Sequence, residues 1–139
     1  GEPKSLNKNI LEDFIKKDQI PVISPLGKDE ENFTYNINAD TVAGFVAGEL
    51  KASKLLLLTD VPGIFNEEKK LISSLTLKEA IEISGMDYIS GGMKPKIQTC
   101  IDAMEKGVSK STILDGRIPH SVILELFTEH GIGTQISNN

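Results

Sequence analysis

The stretch of sequence that decides the fold is residues 54–60, KLLLLTD. Its apolar residues are continuous rather than alternating, which is typical of a central strand in a parallel sheet that is covered on both faces. Polar residues end the strand, and Pro62-Gly63 then forces a turn. Because parallel neighbours need a crossover connection, this stretch predicts an α/β fold in which helices cover the sheet.

Helical and strand patterns also alternate upstream of this strand. Residues 5–17 place their apolar side chains on one helical face. Residues 20–24, IPVIS, form a short β-branched run that predicts a buried strand. Residues 33–37 predict another short strand, and the alanine-rich residues 38–51 predict a second helix.

The alternation continues downstream. Thr76 and Glu79 have the spacing of a capping box, which predicts that a helix begins there. Beyond it, the patterns predict a helix over residues 93–104, a buried strand over residues 111–114 and a last helix over residues 120–129. This order of elements favours a largely parallel sheet.

The composition excludes several classes of protein. The chain has 139 residues, about one ordinary domain, and its 15 basic and 20 acidic residues give a net charge of −5. Without a long basic cluster, it is not expected to bind nucleic acid or a membrane surface. Cys100 is the only cysteine, so the sequence offers neither an internal disulfide nor a cysteine metal cage. We expect a soluble protein of a reducing compartment, the cytoplasm.

Three polar segments occupy positions where ligands bind in parallel α/β sheets. The first is residues 36–40, NINAD, whose alternation puts Asn36 and Asn38 on one side of a strand end. Their amides can donate and accept hydrogen bonds, which suits a substrate with carboxylate and amide groups. The alternative is that Asn38 caps the next helix and Asp40 favours its dipole.

The second and third segments suit a nucleotide. Residues 59–64, TDVPGI, end a strand in a Pro-Gly turn, which is a common floor for a nucleotide and also an ordinary way to end a strand. Residues 90–96, SGGMKPK, combine two glycines, which let the backbone approach a ligand, with Lys96 at a helix start. A lysine there opposes the helix dipole unless an anion is bound, so the segment predicts a phosphate site.

The remaining candidates for chemistry are weaker. His120 is expected to cap the last helix, and His130 lies near the end of that helix, where a cation is favoured. Neither histidine has a second ligand at metal spacing, so no residue is assigned to a metal. Cys100 falls on the apolar face of its helix, which predicts a core position.

Taken in order, the three polar segments resemble the C-terminal half of the acetylglutamate kinases, a branch of the amino-acid kinase family. The resemblance extends from residue 20 to residue 134, and residues 36–40 are its most diagnostic piece. It implies a three-layer αβα sandwich with a mainly parallel sheet, the amino-acid kinase or carbamate kinase-like fold. The activity it implies is ATP-dependent phosphorylation of the side-chain carboxylate of N-acetyl-L-glutamate.

The resemblance also implies roles for individual residues. Lys96 would stabilise negative charge on the transferring phosphoryl group, and Asp40 would hold lysine ammonium groups in place. Asn36 and Asn38 would bind N-acetylglutamate, and Mg²⁺ would bridge the phosphates of ATP. The residues that would line the nucleotide site are Asp60, Val61, Pro62, Gly63, Ile64, Phe65, Tyr88, Ile89, Ser90, Gly92 and Met93.

Two further implications concern the whole enzyme and its control. The family's N-terminal half supplies a second catalytic lysine and a glycine-rich phosphate turn, so residues 1–139 are expected to be the C-terminal nucleotide-binding portion of a homo-oligomeric enzyme, inactive alone. Glu125 and the backbone near Gly131 resemble the arginine-inhibited branch and would hold L-arginine. Thr112 departs from that branch, which usually has a histidine there.

Two other interpretations stay open. One is an amino-acid kinase that acts on a different carboxylate or phosphate acceptor, and the chemistry around Asn36 and Asn38 discriminates between the two kinases. The other is a non-catalytic regulatory domain that binds a nucleotide or arginine, which would bind its ligand normally without a catalytic half.

Overall fold

The computed structural model of the protein describes residues 1–128 and 131–138. Helices and strands alternate over most of this length, as the sequence patterns predict. In chain order the elements are α1 (Lys8–Lys16), β1 (Leu26–Lys28), β2 (Thr34–Asn36), α2 (Ala39–Leu50), β3 (Lys54–Thr59), β4 (Ser74–Thr76), α3 (Leu77–Ser84), α4 (Met93–Glu105), β5 (Lys110–Asp115), α5 (Ser121–Phe127) and β6 (Thr134–Ser137).

Four of the strands form one mainly parallel sheet in the order β3-β5-β6-β4. The pairs β3–β5 and β4–β6 are parallel, and β5–β6 is antiparallel. In the β3–β5 pair Thr59 lies opposite Asp115, so the carboxyl ends of both strands meet at one edge of the sheet. The mixed α/β fold with a mainly parallel sheet is confirmed, and β1 and β2 form a separate antiparallel hairpin.

The core lies between the sheet and two helices that pack against each other, α2 and α4. The α4 side chains of Ile97, Cys100 and Met104 are buried, as the helical spacing predicts. Burial raises the pKa of the Cys100 thiol to about 12, so Cys100 is an inert core residue. Gly44 of α2 faces Thr99 of α4, and a Cβ at Gly44 would lie 2.5 Å from the Thr99 methyl carbon. The two helices therefore approach closely.

The predicted strand over residues 20–24 is wrong. No residue of this segment joins a sheet, and Ile20 and Val22 are 90% and 96% exposed. β-Propensity reflects how well a side chain fits a half-buried pleated surface, and it needs a neighbouring strand to supply that surface. No described strand pairs with this segment, so its apolar pattern alone does not make it a strand.

The burial predicted for residues 54–60 is also partly wrong. Within the described residues β3 pairs only with β5, so it is an edge strand of the sheet rather than a central one. Leu55 and Leu57 are buried, whereas Leu58 is 46% exposed. The parallel pairing is confirmed, but the continuous apolar run is not covered on both faces.

The predicted helix caps at Thr76 and His120 have different outcomes. Thr76 and Glu79 form the predicted capping box, in which the Thr76 amide donates to Glu79 Oε2 at 2.7 Å and Thr76 Oγ1 accepts from the Glu79 amide at 3.2 Å. His120 occupies the N-cap position of α5 with a φ of +60°, but its side chain makes no capping bond, so that prediction is wrong. The predictions for residue 129 and His130 lie outside the described residues.

Three short strands, β1, β4 and β6, are not foreseen from the sequence, and each has only three or four residues. The helices are short as well. Over the part of the chain that the structure describes, none of them combines the length and the hydropathy needed to cross a bilayer.

Candidate active site

The site begins where α2 starts. Asn38 Oδ1 accepts hydrogen bonds from the backbone amides of Asp40 at 2.9 Å and Thr41 at 3.2 Å, so Asn38 caps the helix. The cap holds Asp40 in the first turn, where its carboxylate favours the helix dipole. The side-chain oxygen of Asn38 therefore acts as the helix cap. The side-chain nitrogen of Asn38 makes no hydrogen bond within the described residues.

The second wall of the site is the start of α4. Gly92 occupies the N-cap without a side-chain hydrogen bond, and no acidic residue lies in the first turn. Pro95 lacks an N–H, which is tolerated at this position. In the first turn, the Met93 amide donates to the Ser90 carbonyl at 3.4 Å and the Lys94 amide has no intrahelical acceptor, so this end of α4 favours an anion.

Lys96 joins the two helix starts. Its Nζ donates to Asp40 Oδ2 at 2.6 Å, although 56 positions separate the two residues along the chain. The Lys96 and Asp40 side chains are 17% and 24% exposed, so solvent screens their attraction only in part. The ion pair fixes one ammonium group beside the start of α4.

A cavity of about 380 Å³ lies beside this ion pair. Its volume falls in the range of small-molecule sites. The residues that line it are Thr59, Asp60, Val61, Gly63, Phe65, Tyr88, Ile89, Ser90, Gly92, Met93 and Lys96. The structure therefore brings together the predicted nucleotide residues except two: Pro62 does not line the cavity, and Ile64 is fully buried in the core.

The predicted substrate residue Asn36 is exposed at the end of β2 and does not line this cavity. It lies opposite Leu26 in the β1–β2 hairpin, two residues before the Asn38 cap. The chemical roles of Asn36, Asn38, Asp40 and Lys96 stay predictions. Among the described residues, no cluster of three or more His, Cys, Asp or Glu side chains could hold a metal ion.

An ion pair between Asp115 and Arg117, which we call the brace, lies next to Thr59 and is not indicated by the sequence patterns. Arg117 donates to both carboxylate oxygens of Asp115, from Nε at 3.0 Å and from Nη2 at 2.8 Å. These bonds hold the pKa of the Asp115 carboxyl below its usual range. The Gly116 amide donates to the Thr59 carbonyl at 2.9 Å. This hydrogen bond ties the Asp115–Arg117 loop to the end of β3, where the turn that lines the cavity begins. The sequence Asp-Gly-Arg after a strand is the signal that could have found it.

A second polar site lies around Glu125 of α5. Its carboxylate is buried and accepts from Thr112 Oγ1 and from the Ile132 amide, each at 3.0 Å. A Cβ on Gly131 would lie 2.6 Å from Glu125 Oε2, so the backbone approaches the carboxylate closely. The structure thus brings the two residues of the predicted arginine site together. No described cation pairs with this carboxylate.

Comparison with known proteins identifies relatives of the chain. The sequence profile described as "Amino acid kinase family" matches residues 1–115. A protein of Mesorhizobium japonicum named acetylglutamate kinase is 51% identical over 136 residues, which are 98% of this chain and 46% of that protein. The chain therefore spans about half the length of the curated relatives that it matches.

Solved structures show the same fold. One of them is an N-acetylglutamate synthase from Neisseria gonorrhoeae, complexed with coenzyme A and L-arginine. It superposes on this chain with a TM-score of 0.91 at 29% sequence identity, and the match covers 98% of this chain and 32% of the synthase chain. Carbamate kinase from Giardia lamblia bound to AMP-PNP has a TM-score of 0.73 at 17% identity, with 98% of this chain and 46% of that one covered. The Giardia likeness shows the fold alone.

The Asp115–Arg117 brace predicts a pH-dependent contribution to stability. Because the pKa of Asp115 is lower in the folded state, its contribution is present above the ordinary Asp pKa of about 4 and is lost as the pH falls through the folded value. We expect Asp115→Asn to lower the melting temperature at pH 7, and the difference from the parent to narrow below about pH 4. Asp87→Asn, at an exposed carboxylate with no ionic partner among the described residues, is the control. An Asp115→Asn deficit that is equal at pH 7 and pH 3 would contradict the electrostatic origin.

Proposed function

The chain belongs to the amino acid kinase family, and on that premise we propose that it forms the nucleotide side of an ATP-dependent acetylglutamate kinase. The reaction transfers the γ-phosphoryl group of ATP to the side-chain carboxylate of N-acetyl-L-glutamate and yields N-acetylglutamyl 5-phosphate and ADP. The observation that carries the proposal is the Lys96–Asp40 ion pair beside the cavity. The curated relatives named acetylglutamate kinase support the choice of substrate.

The chemistry needs charge stabilisation rather than a base. A carboxylate oxygen of the substrate attacks the γ-phosphorus, and the bond from that phosphorus to the ADP oxygen breaks. Because the substrate carboxylate is already ionised, Asp40 has no proton to remove. Asp40 instead holds Lys96 at one position, where its ammonium group meets negative charge on the transferring phosphoryl group.

ATP occupies the cavity between the turn after β3 and the start of α4. The positive end of the α4 helix dipole and the Lys96 ammonium group both favour phosphate oxygens there. Bound Mg²⁺ would supply positive charge that neutralises the phosphates of ATP. Asp60, the one carboxylate among the residues that line the cavity, would hold the metal together with the phosphates.

The remaining parts of the proposal concern the whole protein. Asn36 and the side-chain nitrogen of Asn38 lie just before the first turn of α2, which contains Asp40. They bind N-acetylglutamate. Residues 1–139 act as the C-terminal nucleotide-binding portion of a cytoplasmic homo-oligomer, and catalysis needs the portion of the enzyme that relatives of about twice this length contain. A binding assay on this chain and an activity assay on a completed enzyme test the two levels separately.

The ion pair predicts a loss of turnover when Lys96 loses its charge. We would join this chain to the remaining segment of the Mesorhizobium japonicum relative and measure acetylglutamyl phosphate trapped with hydroxylamine. Lys96→Gln is expected to lower kcat by about 10²- to 10³-fold, because one donor to the developing charge is removed. Lys94→Gln, at an exposed lysine in the same helical turn, is the matched control.

Two outcomes would contradict this part of the proposal. One is an equal loss of kcat in Lys94→Gln and Lys96→Gln, which would mean that general positive charge, not the ion pair, carries the effect. The other is robust acetylglutamyl phosphate formation by the 139-residue chain alone. ATP binding without any kinase activity in the completed enzyme would favour a regulatory nucleotide-binding domain.

The acceptor is tested at Asn36. In the same completed enzyme we expect Asn36→Ala to raise the KM for N-acetylglutamate by about tenfold, the loss of one to two hydrogen bonds, and to change the KM for ATP much less. Steady-state kinetics with each substrate varied in turn gives both values. Equal increases in the two KM values would favour a kinase that acts on a different acceptor.

A second candidate function is the binding of L-arginine at Glu125. The observation that favours it is a buried carboxylate whose described partners, Thr112 Oγ1 and the Ile132 amide, are neutral. A guanidinium group is a suitable cation for such a carboxylate. The gonococcal synthase structure, at 29% identity, holds L-arginine.

The arginine proposal predicts the effect of one substitution. In the completed enzyme, Glu125→Gln is expected to weaken L-arginine binding by about tenfold or more, since a hydrogen bond to a charged group is lost. Isothermal titration calorimetry measures this loss, and Glu105→Gln, at an exposed residue of α4, is the control. If the parent enzyme neither binds arginine nor is inhibited by it, arginine is not the ligand of this site.

A further inference from the structure

The turn that follows β3 supplies much of the cavity wall, although its residues after Thr59 belong to no named strand. We call residues 59–65 the nucleotide turn; Thr59, Asp60, Val61, Gly63 and Phe65 of this turn line the cavity. At its beginning the turn is tied by the bond from the Gly116 amide to the Thr59 carbonyl. Its far end needs a different attachment, because β3 ends at Thr59.

Besides the bridge between Phe65 and Leu71, the side chain of Thr134 attaches this end. Thr134 Oγ1 accepts a hydrogen bond from the Ile64 amide at 2.8 Å and donates one to the Ile72 carbonyl at 2.5 Å. The Ile72 amide in turn donates to the Ile64 carbonyl at 2.8 Å. The hydroxyl therefore closes a small network that joins the end of the nucleotide turn to the segment returning from it.

Burial makes this hydroxyl hard to replace. Thr134 is fully buried, so water does not have ready access to the Ile64 amide if the hydroxyl is removed. A buried donor left without a partner carries its full desolvation cost. Gly63 shows how closely the turn packs on the hydroxyl: its φ is +156°, and a Cβ there would lie 2.5 Å from Thr134 Oγ1.

Thr134 is itself held firmly by the sheet. It is the first residue of β6, and it pairs with Ile113 in the middle of β5. The preceding residue, Gly133, packs directly on the Ile113 carbonyl, where a Cβ could not fit. The hydroxyl thus has a fixed position relative to the sheet. Its hydrogen bond holds the Ile64 amide at a fixed position as well.

We propose that Thr134 is a positioning residue for nucleotide binding, which acts through the Ile64 amide to hold the nucleotide turn in its binding conformation. Thr134 does not line the cavity, so it does not touch the nucleotide. The inference rests on the proposed function in one respect, namely that the cavity binds ATP. The hold on the turn is a property of the protein that is measurable without ATP.

The central experiment replaces the hydroxyl and keeps the shape. In the completed enzyme, Thr134→Val is expected to raise the KM for ATP by about tenfold, because the turn loses one buried hydrogen bond, and to change kcat and the KM for N-acetylglutamate much less. Thr134→Ser keeps the hydroxyl and is expected to restore the KM for ATP. Thr99→Val, which removes a hydroxyl from a buried threonine at the α2–α4 contact, is the matched control.

A second measurement reads the turn directly and needs no activity. Hydrogen exchange of the Ile64 amide is expected to speed up in Thr134→Val, and to stay at the parent rate in Thr99→Val and Thr134→Ser. If Thr134→Val does not fold, Thr134→Cys keeps a similar volume with a weaker hydrogen-bonding group, and the same shifts are expected in smaller measure.

The outcomes separate the two proposals. Faster Ile64 exchange together with a raised KM for ATP supports the inference. Unchanged Ile64 exchange overturns it, and so does faster exchange with an unchanged KM for ATP, or a Ser variant that behaves like the Val variant. A parent enzyme that binds no ATP would refute the nucleotide site and with it the role assigned to Thr134 in nucleotide binding, and the exchange data would still report whether Thr134 holds the turn.

Discussion

The contact between Lys96 and Asp40 is the interaction on which the candidate site depends. It requires α2 and α4 to begin at the same edge of the fold, and the two helices can lie side by side because Gly44 leaves room for Thr99. This arrangement brings the start of α4 and a lysine to one place, and the Asp40 carboxylate keeps that lysine from turning into solvent. Without the close packing of the two helices, the ammonium group would have no fixed position.

The fold by itself does not distinguish the activities found among the relatives. The same fold occurs in carbamate kinase from Giardia lamblia and in the gonococcal N-acetylglutamate synthase. A kinase assignment for this chain must therefore rest on the site, where a helix start without acidic residues in its first turn, a lysine held by Asp40 and a cavity of about 380 Å³ meet. Glu125 forms a separate polar site, and its contact with Ile132 lies two residues before Thr134, which binds the nucleotide turn.

The wrong strand prediction for residues 20–24 and the wrong burial prediction for β3 have a common physical cause. Residues 20–24 and β3 both have apolar sequences suited to the inside of a sheet, but a strand's environment depends on what lies beside it. In the described part of the chain, no strand pairs with the first segment or with the outer edge of β3. By contrast, the capping box at Thr76 was predictable, because all of its hydrogen bonds lie within four residues of sequence.

The sequence by itself determined the alternation of helices and strands, the caps at Asn38 and Thr76, and the three segments that meet around the site. These features follow from local periodicity, local hydrogen bonds and turn chemistry, which act over a few residues. Only the tertiary structure decided the strand order, the brace formed by Asp115 and Arg117, and the hold of Thr134 on a turn 70 residues away. The reason is that burial and long-range hydrogen bonds depend on which segments become neighbours, and a single sequence does not state its neighbours.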